Sequence, residues 1–206
     1  MLFRSGEPGT AIGGAIQSLA LSTVRRGVIW AGTSNGLIKL TKDEGKTWDD
    51  VSIPDVPVPG RGDILAIDAS HFDPAAAYVA VDFHVTGDYK PYFFRTHDYG
   101  KTWTAIVRGL PRDLPSGSFA RVIREDTKKP GLLFAGTESG MYVSFDDGDE
   151  WQSLELNLPT TSCRDLVIHG NDLVVGTYGR GIWVLDDYSP LRQITPATAQ
   201  IGRAHV

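Results

Sequence analysis

Cysteine is almost missing from this sequence: Cys163 is the only one among 206 residues. An internal disulfide is therefore excluded, and so is a zinc site built from several cysteines, which makes Cys163 a small core residue in our interpretation. No apolar run approaches the ~20 residues that span a bilayer as a helix. The first residues, Met1 to Pro8, also lack the apolar core of a signal peptide, so a signal, if the natural protein is secreted, is expected outside this sequence.

Clusters of positive charge are absent as well. There are 20 Lys and Arg against 25 Asp and Glu, a net charge of −5, and at most two basic residues are adjacent. A nucleic-acid surface needs grouped cations that displace counterions, so we expect no nucleic-acid partner and no membrane insertion. No segment repeats apolar residues at the i, i+3, i+4, i+7 spacing of a helix, so helix content should be very low.

The composition is instead typical of short strands connected by turns. The hydrophobic fraction of 41% is enough for a packed core, and the 23 Gly and 12 Pro indicate many turns between short strands. The length fits one domain or a piece of a larger repeat protein.

One pattern, [Ser/Thr]-x-Asp-x-Gly-x-x-Trp, occurs three times, at 41–48, 96–103 and 144–151. The segments before it also repeat: 27–33 (GVIWAGT) aligns with 131–137 (GLLFAGT). A fourth copy runs through DLVVGT and GRGIWV near the end of the chain. Internal repetition at about 40 to 55 residues predicts a repeat architecture.

Each repeat contains four short runs rich in β-branched and aromatic residues, separated by Gly, Asp, Asn or Pro. The predicted strands are 16–23, 27–33, 36–42 and 47–53; 63–70, 77–83, 91–97 and 102–107; 119–126, 131–137, 140–145 and 150–156; and 163–169, 172–177, 181–186 and a weak 190–195. Four antiparallel strands per repeat are typical of a β-propeller blade. We therefore predict an all-β propeller segment of four blades in an incomplete ring.

The predicted domain limits follow from these strands. A lead-in at 1–15 precedes blades at about 16–60, 61–115, 116–160 and 161–195, and a tail follows at 196–206. The last six residues, IGRAHV, match nothing earlier in the chain and equal the translation of a common short-read sequencing adapter. We expect 201–206 to be an assembly artefact, with a frayed natural terminus as the alternative, which re-sequencing past codon 200 would distinguish.

The repeated pattern has a structural explanation at every position. A Ser/Thr hydroxyl and an Asp carboxylate can bind the backbone of a tight turn, Gly accepts positive φ, and Trp packs on the blade. A catalytic set needs different residues at one point rather than the same set three times. We assign structural roles to Thr41, Asp43, Gly45, Trp48, Thr96, Asp98, Gly100, Trp103, Ser144, Asp146, Gly148 and Trp151.

These residues resemble the Asp-box, or bacterial neuraminidase repeat, of sialidases, xyloglucanases, sortilin and photosystem II assembly propellers. The likeness is closest to bacterial sortilin-like and "glycosyl hydrolase" Asp-box proteins, whose last blades end much like 176–193. It covers nearly all of 12–195 and implies the fold rather than an activity, because Asp-boxes occur in enzymes and non-enzymes.

The resemblance also implies a larger parent protein. Family members carry more than four blades, so this chain is similar to a C-terminal fragment whose partners include the remaining blades, from a bacterial protein that is secreted or periplasmic. The fourth repeat departs from the pattern: Leu185, Ser189 and Arg192 replace the Ser/Thr, Gly and Trp, although Asp187 remains. We expect this turn to have lost the box and to close through Pro190.

A ligand is expected on the face opposite the repeated turns, where the turns between second and third strands and the crossovers between blades lie. The binding candidates there are His84, Asp88, Tyr89, Lys90, Glu138, Tyr178 and Arg180. Asp63 and Asp82 are candidate catalytic carboxylates, since such a pair can hydrolyse glycosides. The arginine triad of sialidases is not recognisable by spacing, and the histidines, including His97 within a repeated turn, show no metal-ligand spacing.

The sequence thus predicts a non-catalytic scaffold that binds protein, peptide or glycan. The alternative is a fragment of a xyloglucanase- or sialidase-like glycoside hydrolase whose catalytic residues lie partly in other blades. We expect no cofactor and no metal.

Overall fold

The strands of the computed structural model, which describes residues 14–114 and 117–195, fall into four antiparallel sheets. The strands are β1 Ile16–Leu21, β2 Ile29–Thr33, β3 Ile38–Thr41 and β4 Asp49–Asp50; β5 Asp63–Ala69, β6 Ala77–Asp82, β7 Tyr92–Thr96 and β8 Thr104–Ala105; β9 Ala120–Glu125, β10 Leu133–Thr137, β11 Met141–Ser144 and β12 Gln152–Ser153; and β13 Cys163–His169, β14 Asp172–Thr177 and β15 Ile182–Leu185. Strands pair in chain order within each sheet. Two short 3₁₀ helices complete the described elements, His84–Thr86 and Ser189–Gln193.

The sheets are arranged as consecutive blades, with the first strand of each packed on the first strand of the next. The core therefore lies between sheets, and its two hydrophobic clusters each draw side chains from neighbouring blades. Gly32 shows how close the packing is, because a Cβ there would lie 2.3 Å from the Ile64 side chain of the next blade. The fold is the predicted β-propeller segment. No helix in the described ranges is long and apolar enough to cross a membrane.

Among the residues that the structure describes, nothing covers the two ends of the array, as expected for an incomplete ring. Leu19 on β1 is 58% exposed, whereas the residues at its position in the next blades, Ile67, Ile123 and Leu166, are each covered by the preceding blade. At the other end Val167 on β13 is half exposed because no described blade follows it. Each end therefore presents an apolar sheet face.

The repeated turn is held by its own side chains. In the first copy the Thr41 hydroxyl donates to Asp43 at 2.8 Å and accepts from the Gly45 amide at 2.9 Å, while Thr47 donates to Asp43 from both its hydroxyl (2.6 Å) and its amide (2.9 Å). Glu44 and Gly45 take φ of 64° and 89°. Equivalent bonds to the carboxylate recur at Asp98 and Asp146.

In the second and third repeats, the tryptophan after the turn connects its blade to the preceding one. The indole Nε1 of Trp103 donates to the Val51 carbonyl at 2.8 Å, and that of Trp151 donates to Ile106 at 2.9 Å. Trp48 has no described blade before it; its indole donates to Gly45 in its own turn, and it remains 44% exposed.

The prediction of a strand at 190–195 is wrong. The segment Ser189–Gln193 forms a 3₁₀ helix with Pro190 in its first turn, and the fourth sheet has only three strands. The cause is Asp126, a fully buried carboxylate of the third blade, which accepts from the Tyr188 hydroxyl at 2.5 Å and from Arg192 Nε at 2.8 Å. These bonds hold Tyr188 and Arg192 against the third blade, so this segment does not pair with the edge of β15. Residues 1–13 of the predicted lead-in and the tail at 196–206 lie outside the described residues.

Candidate functional site

Most of the candidate residues lie at one edge of the sheets, where the first strand of each blade begins and the second strand ends. Five of them, together with Arg121, Ser162 and Arg164, form a continuous chain of contacts across three blades, which we name the rim cluster. It consists of Asp63, Asp82, His84, Arg121, Glu138, Ser162, Arg164 and Tyr178.

Asp82 is the most enclosed member of the rim cluster, with a side chain only 1% exposed. Its Oδ1 accepts from the His84 amide at 2.8 Å, and its Oδ2 lies 2.6 Å from His84 Nδ1 and 3.3 Å from an Arg121 nitrogen. A buried carboxylate needs such partners, because an uncompensated charge in the interior is costly. Both carboxylate oxygens of Asp82 are therefore occupied by internal contacts, and the buried side chain is not accessible to a ligand.

Arg121 joins Asp82 to Glu138. Its Nε and a terminal nitrogen donate to Glu138 Oε2 at 2.8 and 2.6 Å, and the Ser162 hydroxyl donates to the same oxygen at 2.8 Å. Burial opposes ionisation of Glu138, but the hydrogen bonds from Arg121 and Ser162 outweigh it and lower the pKa of this carboxyl. In the described structure no hydrogen bond reaches Glu138 Oε1. The carboxylate is thus fixed in place with one acceptor oxygen left for a ligand.

Tyr178 provides an open aromatic surface next to this carboxylate. It follows β14, is 71% exposed, and has the Arg164 guanidinium 4.9 Å from its ring centroid. The same guanidinium lies 3.8 Å from Glu138 Oε2. A cation that rests on an aromatic ring and faces a carboxylate has restricted motion, so its donors are oriented before any ligand arrives.

Asp63 stands opposite Asp82 in the pairing of β5 with β6. Burial, followed by the nearby negative charge of Asp82, raises the pKa of Asp63, and His84 partly offsets this. The two candidate carboxylates are therefore neighbours with different surroundings. Asp82 accepts hydrogen bonds from the His84 amide and from Arg121. The negative charge of Asp82, in turn, disfavours ionisation of Asp63.

The loop after β6 contains three further binding candidates, Asp88, Tyr89 and Lys90. Asp88 accepts from the Tyr92 hydroxyl at 2.7 Å and from the Lys90 amide at 3.1 Å, so it holds the loop together. Burial, with this hydrogen bond, raises the pKa of Tyr92 to about 12. Tyr89 and Lys90 line a separate open groove together with Val58, Arg112, Asp113 and Leu114.

Phe119 connects that groove to the rim cluster. His84 stacks on its ring with centroids 4.9 Å apart, the Arg121 guanidinium lies 4.3 Å from its centroid, and Tyr89 contacts it from the groove side at 6.1 Å. Arg180, in contrast, has no described side-chain contact with the cluster; its carbonyl accepts from the Trp183 indole at 3.0 Å.

Sequence reasoning missed the residues that organise the cluster. The sequence gives no reason to select Phe119 or Ser162, and no spacing distinguishes Arg121 and Arg164 from the other arginines. One signal was present: an arginine recurs at the second residue of two consecutive first strands, β9 and β13. That position faces the edge on which the candidate acids lie.

The opposite face has its own network, centred on Asp147 in the third repeated turn. His97 Nε2 lies 2.8 Å from Asp147, and Arg95 forms an ion pair with it at 3.3 Å. In the described ranges no three His, Cys, Asp or Glu side chains are grouped so that they could hold a metal ion. Cys163 is buried at the start of β13, and burial raises the pKa of its thiol to about 12, so it is a poor nucleophile.

Comparison with solved structures identifies the same architecture. The chain is similar to YCF48 bound to D1 peptide (TM-score 0.61, 19% identity, 85% of this chain and 52% of that one) and to the GH74 xyloglucanase from Xanthomonas campestris (0.66, 12%, 84% and 29%). It is also similar to the GH74 enzyme of Niastella koreensis (0.62, 13%, 82% and 28%).

These likenesses establish the propeller fold alone, because the identities are low. The chain spans about half the length of the YCF48 structure and less than a third of the two GH74 enzymes. No protein-family profile matches the sequence, and no curated protein matches it.

Proposed function

We propose that this propeller segment is a non-catalytic binding scaffold, and that the rim cluster binds a polar partner, a peptide or a glycan. The observation that carries the proposal is the exposed Tyr178 ring beside Arg164 and the fixed Glu138. An aromatic face covers an apolar ligand surface, and the charged groups on either side supply a donor and an acceptor. YCF48, a structural neighbour, is described with a bound peptide, which supports this class of function.

We also propose a family for this chain and a location for its parent protein. The hydroxyl–carboxylate–glycine turns support membership in the Asp-box propellers of the bacterial sortilin-like kind, from a secreted or periplasmic parent. The apolar end faces are suited to further blades of that parent, each of which would cover a surface like those buried inside this chain.

Binding is tested with the full chain on peptide and glycan libraries, followed by titration of whichever class binds. Tyr178→Ala and Glu138→Gln should each weaken binding about tenfold or more. Phe72→Ala, which removes an exposed aromatic ring on the opposite face, should leave the affinity unchanged. Equal affinity in Tyr178→Ala and the parent protein would refute a binding role for the rim.

A glycoside hydrolase fragment is the second candidate, favoured by one observation: Asp63, whose pKa is raised, is paired with a second carboxylate, Asp82, across β5 and β6. Two carboxylates with different surroundings can divide acid and nucleophile roles. The enclosure of Asp82 by His84 and Arg121 argues against it. Turnover of a glycoside that is abolished by Asp63→Asn would favour the enzyme over the scaffold.

A further inference from the structure

An apolar pocket lies between the first and second blades, at the edge of the sheets where the rim cluster lies, and we name it the inter-blade pocket. Its volume is about 170 Å³, and six apolar side chains line it: Leu37, Ile53, Val56, Ile64, Val81 and Phe83. Gly62 lets the buried Phe83 ring approach closely, because a Cβ at Gly62 would lie 2.6 Å from that ring. Both blades therefore contribute walls to the pocket.

The first blade has a small residue at a position where the next two blades have larger ones. The position follows the residue whose amide donates to the third strand of each blade, and its occupants are Ser52, Val107 and Glu155. In the third blade the Glu155 side chain covers Gly140, since a Cβ at Gly140 would come within 2.1 Å of its carboxylate. Ser52 is too short to fill the equivalent space, which stays open as the inter-blade pocket.

The volume of the inter-blade pocket matches one aromatic ring. A cavity of about 150 Å³ lined by Leu, Ile and Phe is large enough to bind benzene. The Ser52 hydroxyl accepts from the Ile38 amide at 2.9 Å and donates to Asp50 at 2.6 Å, so it is already engaged. A sugar ring would give up hydrogen bonds to water on entering such a pocket, which is costly unless they are replaced. The pocket therefore favours an apolar ring over a sugar.

Two acids of the rim cluster adjoin the inter-blade pocket. Asp63 and Asp82 each stand in the chain between two residues that line it. Among the described contacts, no hydrogen bond or ion pair reaches the Asp63 carboxylate, and burial with the charge of Asp82 raises its pKa. A cation brought close to Asp63 would stabilise the charged form of this carboxyl. A ligand with a basic group next to an aromatic ring is therefore complementary to this part of the edge.

We propose that the inter-blade pocket binds the side chain of a phenylalanine that has a basic neighbour in a peptide partner. The phenyl ring fills the pocket between the two blades, and the basic residue lies beside Asp63. The inference rests on the proposed function, because it assigns the partner of the rim to the peptide class and names the side chain that anchors it.

The probe is the peptide acetyl-GRFRG-amide, added to the ¹⁵N-labelled full chain and followed through the amide chemical shifts of Gly36 and Gly62, which line the pocket. We expect saturable shifts, with affinity about tenfold or more lower for acetyl-GRARG-amide, because the ring is then missing. Acetyl-GEFEG-amide, which carries acids in place of the arginines, should also bind more weakly. No saturable shift with the first peptide, or equal affinity of either comparison peptide, would overturn the proposal.

Two variants of the protein test the pocket itself. Val56→Phe adds a ring to the pocket wall and should abolish binding of acetyl-GRFRG-amide, whereas Val56→Ala leaves the pocket open and should bind within about threefold of the parent. Circular dichroism and thermal melting establish that both variants are folded. A folded Val56→Phe protein that binds like the parent would contradict the proposal, and the peptide comparison decides the matter if that variant does not fold.

The pocket and the rim can fail separately. If acetyl-GRFRG-amide does not bind while library ligands depend on Tyr178, the pocket proposal is refuted and the proposed function stands. If the peptide binds as expected and no library ligand depends on Tyr178, the binding role of the rim is refuted and the pocket is supported.

Discussion

The hydroxyl of Tyr78 in the second blade donates a 2.6 Å hydrogen bond to Asp147 in the repeated turn of the third blade, 69 residues away. It also lies 3.2 Å from Glu125, a buried carboxylate that accepts from Ser70 at 2.7 Å. Burial, with these two acids, raises the pKa of Tyr78, so the phenol remains a donor at all ordinary pH. The repeated turns therefore join blades to each other as well as close their own hairpins.

Removing this hydroxyl should loosen the contact between the second and third blades. Tyr78→Phe keeps the ring but leaves Asp147 and Glu125 each without one donor, which we expect to lower the free energy of unfolding by about 1–3 kcal/mol. Urea unfolding followed by tryptophan fluorescence measures the change. Tyr89→Phe, at an exposed ring of the opposite face, is the matched control and should be neutral.

Arg121 should be far more important for stability than Arg164, although both belong to the rim cluster. Arg121→Met leaves Asp82 buried without its guanidinium partner, and we expect a loss of about 3–5 kcal/mol. Arg164→Met removes a partly exposed charge and should cost less than about 1 kcal/mol. The double variant Arg121→Met/Asp82→Asn should recover part of the lost free energy of unfolding. If it does not, the loss of the ion pair between Arg121 and Asp82 is not the cause of the destabilisation.

Asp63 should destabilise the protein at neutral pH. Because its folded pKa is raised, its contribution to stability is fully present below the unfolded pKa near 3.8 and is lost as pH rises through the folded value. Asp63→Asn should therefore raise the melting temperature at pH 7 and change it little at pH 3. A melting temperature that falls at pH 7 would show that the carboxylate makes a favourable contact in the folded protein.

The blades could be predicted from sequence, but the contacts between them could not. Each blade is encoded locally, since Thr41, Asp43 and Gly45 determine a turn within five residues and the runs on either side pair as a hairpin. The bond between Arg121 and Asp82 depends on how two sheets pack, which no local pattern specifies. The prediction of a strand at 190–195 is wrong for the same reason: the bond from Arg192 to the distant Asp126 depends on how the third and fourth blades pack.

The repeated turns should also determine how the protein responds to acid. Hydrogen bonds from Thr47, and in the second turn from Thr102, lower the pKa of Asp43 and Asp98 to about 2. For a carboxyl with a depressed folded pKa, the stabilisation is present above the unfolded pKa of 3.8 and is lost as pH falls through the folded value, so stability should drop between about pH 4 and pH 2. Asp43→Asn and Asp98→Asn should reduce stability at pH 7 and flatten this decline, as measured by thermal melting across the pH range. Asp55→Asn, at an exposed aspartate in a crossover, should leave the profile as in the parent, and an unchanged profile in all three variants would locate the acid response elsewhere.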